Sequence, residues 1–303
     1  MLFWVPVPEV ADALAGVPGA EVSVVAPDGG PLPAGAGQVE FYVPPFFPRQ
    51  PAVEVVTRLP ALRVVQTLTA GIDRFLPYLR PGVTLCNARG VHDASTAEWV
   101  VAAILAAERD LPSFAREQAG QRWSYRFTGN LATKTVLIVG YGSIGAAVER
   151  RLAGFEVGVR RVARRPRDGV AGLGDLPGLL PEADVVVVLA PVTPDTIGMV
   201  DAAFLARMKD GALLVNAARG ALLVTGALVA ELRAGRLRAA LDVTDPEPLP
   251  PSHELWTLPG VFITPHVAAS TPVSQERMVR LAREQAEAYL RGDPLRNVIT
   301  GTY

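Results

Sequence analysis

A single cysteine, Cys86, stands in a chain of 303 residues. One thiol cannot close an internal disulfide, nor can it supply a cysteine-rich metal site. This usage fits a reducing compartment, and a cytoplasmic location is expected. Histidine is scarce too. His92, His253 and His266 show no close ligand spacing, so no metal is expected. The charges nearly cancel, to a formal net charge of −1. A chain this neutral has no overall pull towards nucleic acid or a membrane surface. No apolar run approaches the ~20 residues of a membrane span. The opening segment, MLFWVPVPEV, lacks a basic n-region and a long apolar h-region, so no secretory signal is expected. Internal repeats and low-complexity linkers are absent.

Apolar content, by contrast, is ample. Half of the residues are hydrophobic, and the length is comfortable for two domains. The chain is organised around Thr135–Leu152, TVLIVGYGSIGAAVERRL. An apolar run, Val136 to Val139, ends in Gly140-Tyr141-Gly142-Ser143-Ile144-Gly145. Beyond it, Ile144, Val148 and Leu152 recur every four residues, as one buried face of a helix does. Strand, glycine turn and helix thus follow in the order that a dinucleotide site requires. Gly140 permits the tight turn, Gly142 lets backbone approach a pyrophosphate, and Gly145 lets helix and strand pack closely.

Residues 1 to 93 read as short strands with helices between them. The strand candidates are Phe3–Val7, Glu21–Val25, Val39–Val43, Val64–Leu68 and Thr84–Asn87, separated by clusters such as Asp28-Gly29-Gly30-Pro31. Such alternation predicts a parallel sheet. Thr69-Ala70-Gly71 follows one strand and precedes an expected helix. It is either a plain glycine turn or a turn whose amides hold an anion. Ser95-Thr96-Ala97-Glu98 has the pattern of a capping box and predicts a helix from Thr96 to Arg109 that leads into a second domain. Residues 112 to 134 are mixed and polar, with Trp123, Tyr125 and Phe127 at alternate positions, and read as a strand or subunit-contact arm.

Further strands are expected at Val157–Val162, Asp184–Leu189, Ala212–Asn216, Ala239–Val243 and Val261–Ile263, with a helix at Thr225–Ala234. Repeated alternation with near-continuous apolar strands is the doubly wound pattern. A last helix, with Thr271 as N-cap, Pro272 at its first position and Gly292 as its stop, is long enough to return to the first domain.

Three segments follow strands beyond the glycine turn: Asn216-Ala217-Ala218-Arg219-Gly220, Leu241-Asp242-Val243-Thr244-Asp245-Pro246-Glu247-Pro248, and Thr264-Pro265-His266-Val267-Ala268. Open α/β sheets bind ligands at the carboxyl ends of their strands. Singly, Arg219 could be a surface charge, Glu247 part of an acidic loop and His266 a core histidine. Together they supply an anion clamp, a carboxylate and a proton-active imidazole beside a dinucleotide turn. Reduction of a 2-keto acid needs hydride at the carbonyl carbon and a proton at its oxygen. Protonated imidazole can supply that proton, because histidine as a residue type titrates near ~6.5. A carboxylate close to it favours the charged ring and orients it. A guanidinium grips the substrate carboxylate with two hydrogen bonds and polarises the carbonyl.

On these segments the chain resembles the D-isomer-specific 2-hydroxyacid dehydrogenase family. GYGSIG, APVTPDT, NAARG, LDVTDPEP and TPHVAAS occur in that family's order and spacing, and the likeness covers residues 60 to 300. The resemblance implies an α/β fold in which a Rossmann-type doubly wound parallel sheet is inserted into a smaller flavodoxin-like substrate domain. The expected boundaries are 1–93 plus 273–303 for the substrate domain and 94–272 for the dinucleotide-binding domain. It implies the catalytic roles of Arg219, Glu247 and His266. It implies cofactor contacts at Gly140, Gly142, Ser143, Ile144, Gly145, Pro191, Thr196, Ala217 and Asp242. Ala70 and Gly71 would offer amides to the substrate carboxylate. A homodimer through the dinucleotide-binding domain is also implied.

Two departures from the family pattern are informative. Members that prefer NAD carry an acidic residue at the end of the second strand, for the ribose hydroxyls. That place falls at Ala163, within Val162-Ala163-Arg164-Arg165-Pro166-Arg167. The arginines could be a solvated basic edge or a nucleic-acid patch. On a near-neutral chain, a 2′-phosphate explains them better, so NADP is expected to be preferred over NAD, with Arg164 and Arg165 as contacts. Glu247 stands where the family's formate-oxidising branch has glutamine, which argues against that branch. The leading expectation is an NAD(P)-dependent reductase of small 2-keto acids such as glyoxylate or hydroxypyruvate. A phosphoglycerate dehydrogenase fits less well, because no regulatory extension follows Tyr303 and no basic cluster marks the first domain. A non-catalytic dinucleotide sensor that binds protein partners is the alternative of a different class. Phe46 and Phe47 could line the substrate pocket or belong to the core.

Overall fold

The computed structural model describes residues 1–300; Tyr303, named in the expectation about a following extension, lies outside them. The chain divides into two compact units, Met1–His92 with the segment from Pro272 onward, and Asp93–Thr271.

The first unit is a five-stranded parallel sheet of β1 (Leu2–Val5), β2 (Glu21–Val24), β3 (Val39–Tyr42), β4 (Val64–Gln66) and β5 (Thr84–Cys86), in the order β2-β1-β3-β4-β5. Neighbouring strands are all parallel and joined by crossovers, so both faces are covered and both must be apolar. Phe3, Val5, Phe41 and Val64 face Met278, Leu281 and Ala282 of the long helix Pro272–Arg291. Phe3 and Phe41 stack with centroids 4.9 Å apart. Trp4, Tyr42 and Val65 fill the other face with Val53, Ile72 and Phe75. The long helix begins at Pro272 and ends before Gly292, whose φ of +74° only glycine adopts without strain.

The second unit is a six-stranded parallel sheet of β6 (Thr135–Val139), β7 (Gly158–Val162), β8 (Val185–Val188), β9 (Leu213–Asn216), β10 (Arg238–Leu241) and β11 (Val261–Ile263). Its order is β11-β10-β9-β8-β6-β7. β8 shows why these strands are continuously apolar. Val186 and Val188 enter the core on one face, and Val185 and Val187 enter the core on the other. The sequence runs outward from β6 to β7 on one side and to β8 on the other, so the switch point of the sheet lies at the glycine turn.

Three local expectations are corrected. The helix expected from Thr96 begins at Asp93 and ends at Glu108. Ser95 and Thr96 are buried within it instead of capping it, and the Ser95 hydroxyl bonds Thr271 Oγ1 at 2.7 Å. The helix expected after Gly71 is only a 3-10 turn, Leu76–Tyr78, closed by Tyr78 N–H donating to the Phe75 carbonyl. The mixed segment after residue 111 contains a helix, Leu111–Ala119. Beyond it the alternating aromatics form no strand. Trp123, Tyr125 and Phe127 are 98%, 83% and 93% exposed. Arg126, between them, turns inward to Asp110 and Glu117 and lies 3.9 Å from the Phe114 ring.

Among the described residues, no helix is long and apolar enough to cross a membrane, and no cluster of His, Cys, Asp and Glu could hold a metal ion.

Candidate active site

The glycine turn leaves β6 at Gly140. Its φ is +107°, and a Cβ there would lie 2.3 Å from the Ala190 amide nitrogen, in the loop after β8. A Cβ on Gly145 would lie 3.0 Å from the Gly140 carbonyl oxygen and 3.2 Å from Ile138 Cγ2. At Gly142 it would meet no protein atom within 4 Å, so no neighbour in the chain explains that glycine. The helix Ser143–Leu152 makes its first internal bond from Ala146 N–H to the Gly142 carbonyl. The amides of Ser143, Ile144 and Gly145 therefore precede the hydrogen-bonded turns and bear the positive end of the helix dipole. Ser143 Oγ donates to Asp93 Oδ1 at 3.0 Å, which ties this turn to the helix Asp93–Glu108.

Arg219, Glu247 and His266 follow β9, β10 and β11, three adjacent strands, and all lie at their carboxyl edge. Asn216 shapes the first loop. Its Oδ1 accepts from the Ala218 amide and its Nδ2 donates to the Arg219 carbonyl, both at 3.0 Å. Gly220 then passes beneath the loop after β10, where a Cβ would fall 2.0 Å from the Thr244 carbonyl oxygen. Only glycine lets these two loops meet. Arg219, half-buried, donates from Nη1 to the Ala218 carbonyl at 2.8 Å.

The imidazole of His266 lies 2.7 Å from Glu247, Nδ1 to Oε1. The His266 backbone has φ of +55°, in the left-handed region that costs a residue with a side chain roughly 1–3 kcal/mol. What holds it there is Asp242, which is 2% exposed. The Asp242 carbonyl accepts from the His266 amide at 2.7 Å. The Asp242 carboxylate accepts from Thr264 Oγ1 at 2.5 Å, from Val267 N–H at 2.9 Å and from Ala268 N–H at 2.8 Å. Asp242 thus braces the whole turn that presents the histidine, a function the sequence reading did not assign. The signal available was the buried-strand aspartate and a threonine two residues before the histidine.

The loop after β8 is closed by Thr196, whose Oγ1 donates to the Pro191 carbonyl at 2.6 Å and accepts from Thr193 N–H at 2.8 Å. Ala217 lies just beyond β9, partly buried. In the first unit, the Thr69, Ala70 and Gly71 carbonyls accept from Ala88 N–H, Asn87 Nδ2 and Thr69 Oγ1 at 2.9, 2.9 and 2.7 Å. Phe46 packs into the core of that unit, 5.3 Å from the His92 ring, whereas Phe47 is half exposed.

Beyond β7, Arg164, Arg165 and Arg167 are exposed, and Ala163 is partly buried. Arg161, within the strand, instead pairs with Glu149 of the helix Ser143–Leu152 and holds that carboxyl below the usual carboxylate range. The Tyr141 hydroxyl donates to the same Glu149, and this hydrogen bond pushes the phenol up. This Tyr141–Glu149–Arg161 cluster was not anticipated either.

The model of the D-isomer specific 2-hydroxyacid dehydrogenase NAD-binding domain matches residues 101–268, over half of the chain. The chain is 36% identical over 250 residues to the glyoxylate reductase/hydroxypyruvate reductase of Mus musculus, covering 77% of this chain and 76% of that one. The chain belongs to the D-isomer specific 2-hydroxyacid dehydrogenase family. It is a nicotinamide dinucleotide-dependent oxidoreductase acting between 2-keto and D-2-hydroxy acids. Solved structures agree in fold. A family member from Xanthobacter autotrophicus Py2, in complex with NADPH and MES, superposes with a TM-score of 0.84 at 30% identity, covering 99% of this chain and 97% of that one. An NADPH-dependent glyoxylate/hydroxypyruvate reductase from Sinorhizobium meliloti, in complex with NADP and sulfate, gives 0.82 at 30% identity, covering 98% and 96%.

Proposed function

We propose that this dehydrogenase reduces a small 2-keto acid of the glyoxylate or hydroxypyruvate type and prefers NADPH to NADH. The observation that carries the catalytic part is the 2.7 Å contact between His266 and Glu247 at the strand edge that also bears Arg219. The glycine turn fits a dinucleotide, because Gly142 has open approach and the Ser143, Ile144 and Gly145 amides head a helix. The bound cofactor supplies the hydride. Pro191, Thr196, Ala217 and Asp242 are proposed to contact it further.

His266 acts as general acid. With Nδ1 held by Glu247, the transferable proton is assigned to Nε2, which delivers it to the carbonyl oxygen of the substrate. Glu247 stabilises the charged ring and fixes its plane. Arg219 grips the substrate carboxylate as a fork and polarises the carbonyl. The amides of Ala70 and Gly71 are proposed to face a substrate carboxylate; the carbonyls of this turn are already taken.

Arg164 and Arg165 are proposed to face the 2′-phosphate. A charge-assisted hydrogen bond contributes about 1.5–3 kcal/mol, which is ten- to a hundredfold in affinity. The relatives solved with NADPH or NADP support this reading. A homodimer through the dinucleotide-binding unit is proposed, with the exposed Trp123–Phe127 arm lying against the second copy, and a cytoplasmic location. The test is the initial rate of NADPH and NADH oxidation across a panel of 2-keto acids. Fastest turnover of glyoxylate or hydroxypyruvate with NADPH is expected. No turnover of any 2-keto acid would overturn the catalytic reading, and a preference for NADH would overturn the cofactor reading alone.

A further inference from the structure

The arginines beyond β7 are not equivalent. Arg160 and Arg161 lie in the strand and pair with Glu182 and Glu149. Arg167 is held differently. Its Nη2 donates to the Tyr141 carbonyl at 2.8 Å, and its guanidinium carbon lies 5.6 Å from the centre of the Tyr141 ring. Tyr141 is the second residue of the glycine turn, so Arg167 reaches across 26 residues of sequence to the backbone that meets the cofactor.

The segment that carries Arg167 is a small closed hairpin. Ala163 N–H donates to the Ala171 carbonyl at 3.0 Å, and Ala171 N–H donates to the Arg161 carbonyl at 2.9 Å, so both ends are held to the sheet. Arg167 and Val170 exchange two backbone bonds of 3.0 and 2.8 Å around Asp168-Gly169, with Gly169 at φ +69°. Arg164 and Arg165 lie on the outgoing limb of this hairpin. Arg165 has no hydrogen bond or ion pair among the described residues. The hairpin backbone is therefore fixed at its base; Arg167 ties its tip to the glycine turn, and a longer Arg161 bond to the Gly169 carbonyl, 3.5 Å, ties it to β7.

We propose that Arg167 is the positioning residue for cofactor discrimination: it pins the Ala163–Ala171 hairpin to the glycine turn and so fixes where Arg164 and Arg165 meet a 2′-phosphate, without touching the phosphate itself. The proposal rests on the reading that NADPH is preferred. A guanidinium suits the task because it donates to a carbonyl while lying over an aromatic face, two contacts that a lysine ammonium makes less well together.

The experiment compares the parent chain with Arg164→Ala/Arg165→Ala, Arg167→Ala, Arg167→Lys and the triple Arg164→Ala/Arg165→Ala/Arg167→Ala. It reads the Kd of NADPH and of NADH, and amide hydrogen exchange of residues 163–171 without cofactor. Arg167→Ala should weaken NADPH about tenfold and NADH no more than threefold, and should speed exchange at Val170 and Ala171. Arg167→Lys should recover part of the loss. The triple variant should bind NADPH no more than twofold worse than Arg164→Ala/Arg165→Ala, because the pin acts through those two arginines. Additive losses in the triple variant would make Arg167 a phosphate contact and overturn the positioning role. Unchanged exchange in Arg167→Ala would remove the pin whatever the cofactor. A parent that prefers NADH would overturn the cofactor reading and this proposal with it, whereas NADPH preference untouched by Arg167→Ala would overturn this proposal only.

Discussion

Two edges of the same sheet hold their candidate site residues in different ways. At the ends of β10 and β11, Asp242 is 2% exposed and its carboxylate accepts three hydrogen bonds that shape the turn bearing His266. At the end of β7, Arg164 and Arg165 stand exposed on a hairpin that the Arg167 side chain ties to the glycine turn. A proton donor must meet one atom of the substrate within fractions of an ångström, so its support is buried and polar. Discrimination between two cofactors needs only a cation within reach of a phosphate, and an exposed loop suffices. The edge bearing His266 should therefore respond to substitution in substrate turnover and stability, and the exposed edge in cofactor affinity.

Arg219→Lys should have the largest effect among the supporting residues. The fork to the substrate carboxylate becomes a single point charge, and loss of a charge-assisted bond of about 1.5–3 kcal/mol lowers kcat/KM ten- to a hundredfold, chiefly through KM. Steady-state kinetics with glyoxylate checks this; an unchanged KM would move the clamp elsewhere. Asp242→Asn should come next. An amide in place of the carboxylate leaves one of three buried donors unmatched, which costs about 1–3 kcal/mol of stability. The imidazole then loses its fixed turn, and kcat should fall roughly tenfold. Denaturant titration and kcat are read together, and a stable variant with full kcat would refute the brace. Glu247→Gln should be the mildest. The ring keeps a polar neighbour but loses the carboxylate that holds its plane, so kcat should fall about threefold with KM nearly kept. Steady-state kinetics checks this, and an unchanged kcat would separate Glu247 from His266.

The sequence made the strands and the glycine turn legible for a physical reason. Parallel strands buried on both faces must be apolar throughout, as Val185–Val188 is, and Gly140 is demanded both by its φ and by the Ala190 backbone beside it. Arg219, Glu247 and His266 could be grouped because their distance from a strand end is a local property. What escaped was whatever depends on a partner remote in sequence. Ser95 looked like a helix cap, but its hydroxyl meets Thr271, 176 residues away. Asp242 was marked only as a cofactor contact, because nothing local says that its carboxylate closes the turn at Thr264–Ala268. The aromatic alternation at 123–127 is visible in the sequence, but the pairing of Arg126 between them with Asp110 and Glu117 is not.

The separation of the two edges is tested most directly in His266→Ala, by measuring NADPH affinity and the single-turnover rate of glyoxylate reduction on the same preparation. Positioned proton transfer contributes ~10²–10⁴-fold, so the rate should fall by that factor while the Kd of NADPH stays within about twofold. A folded variant that keeps its rate, or one that loses NADPH binding in step with its rate, would contradict the account.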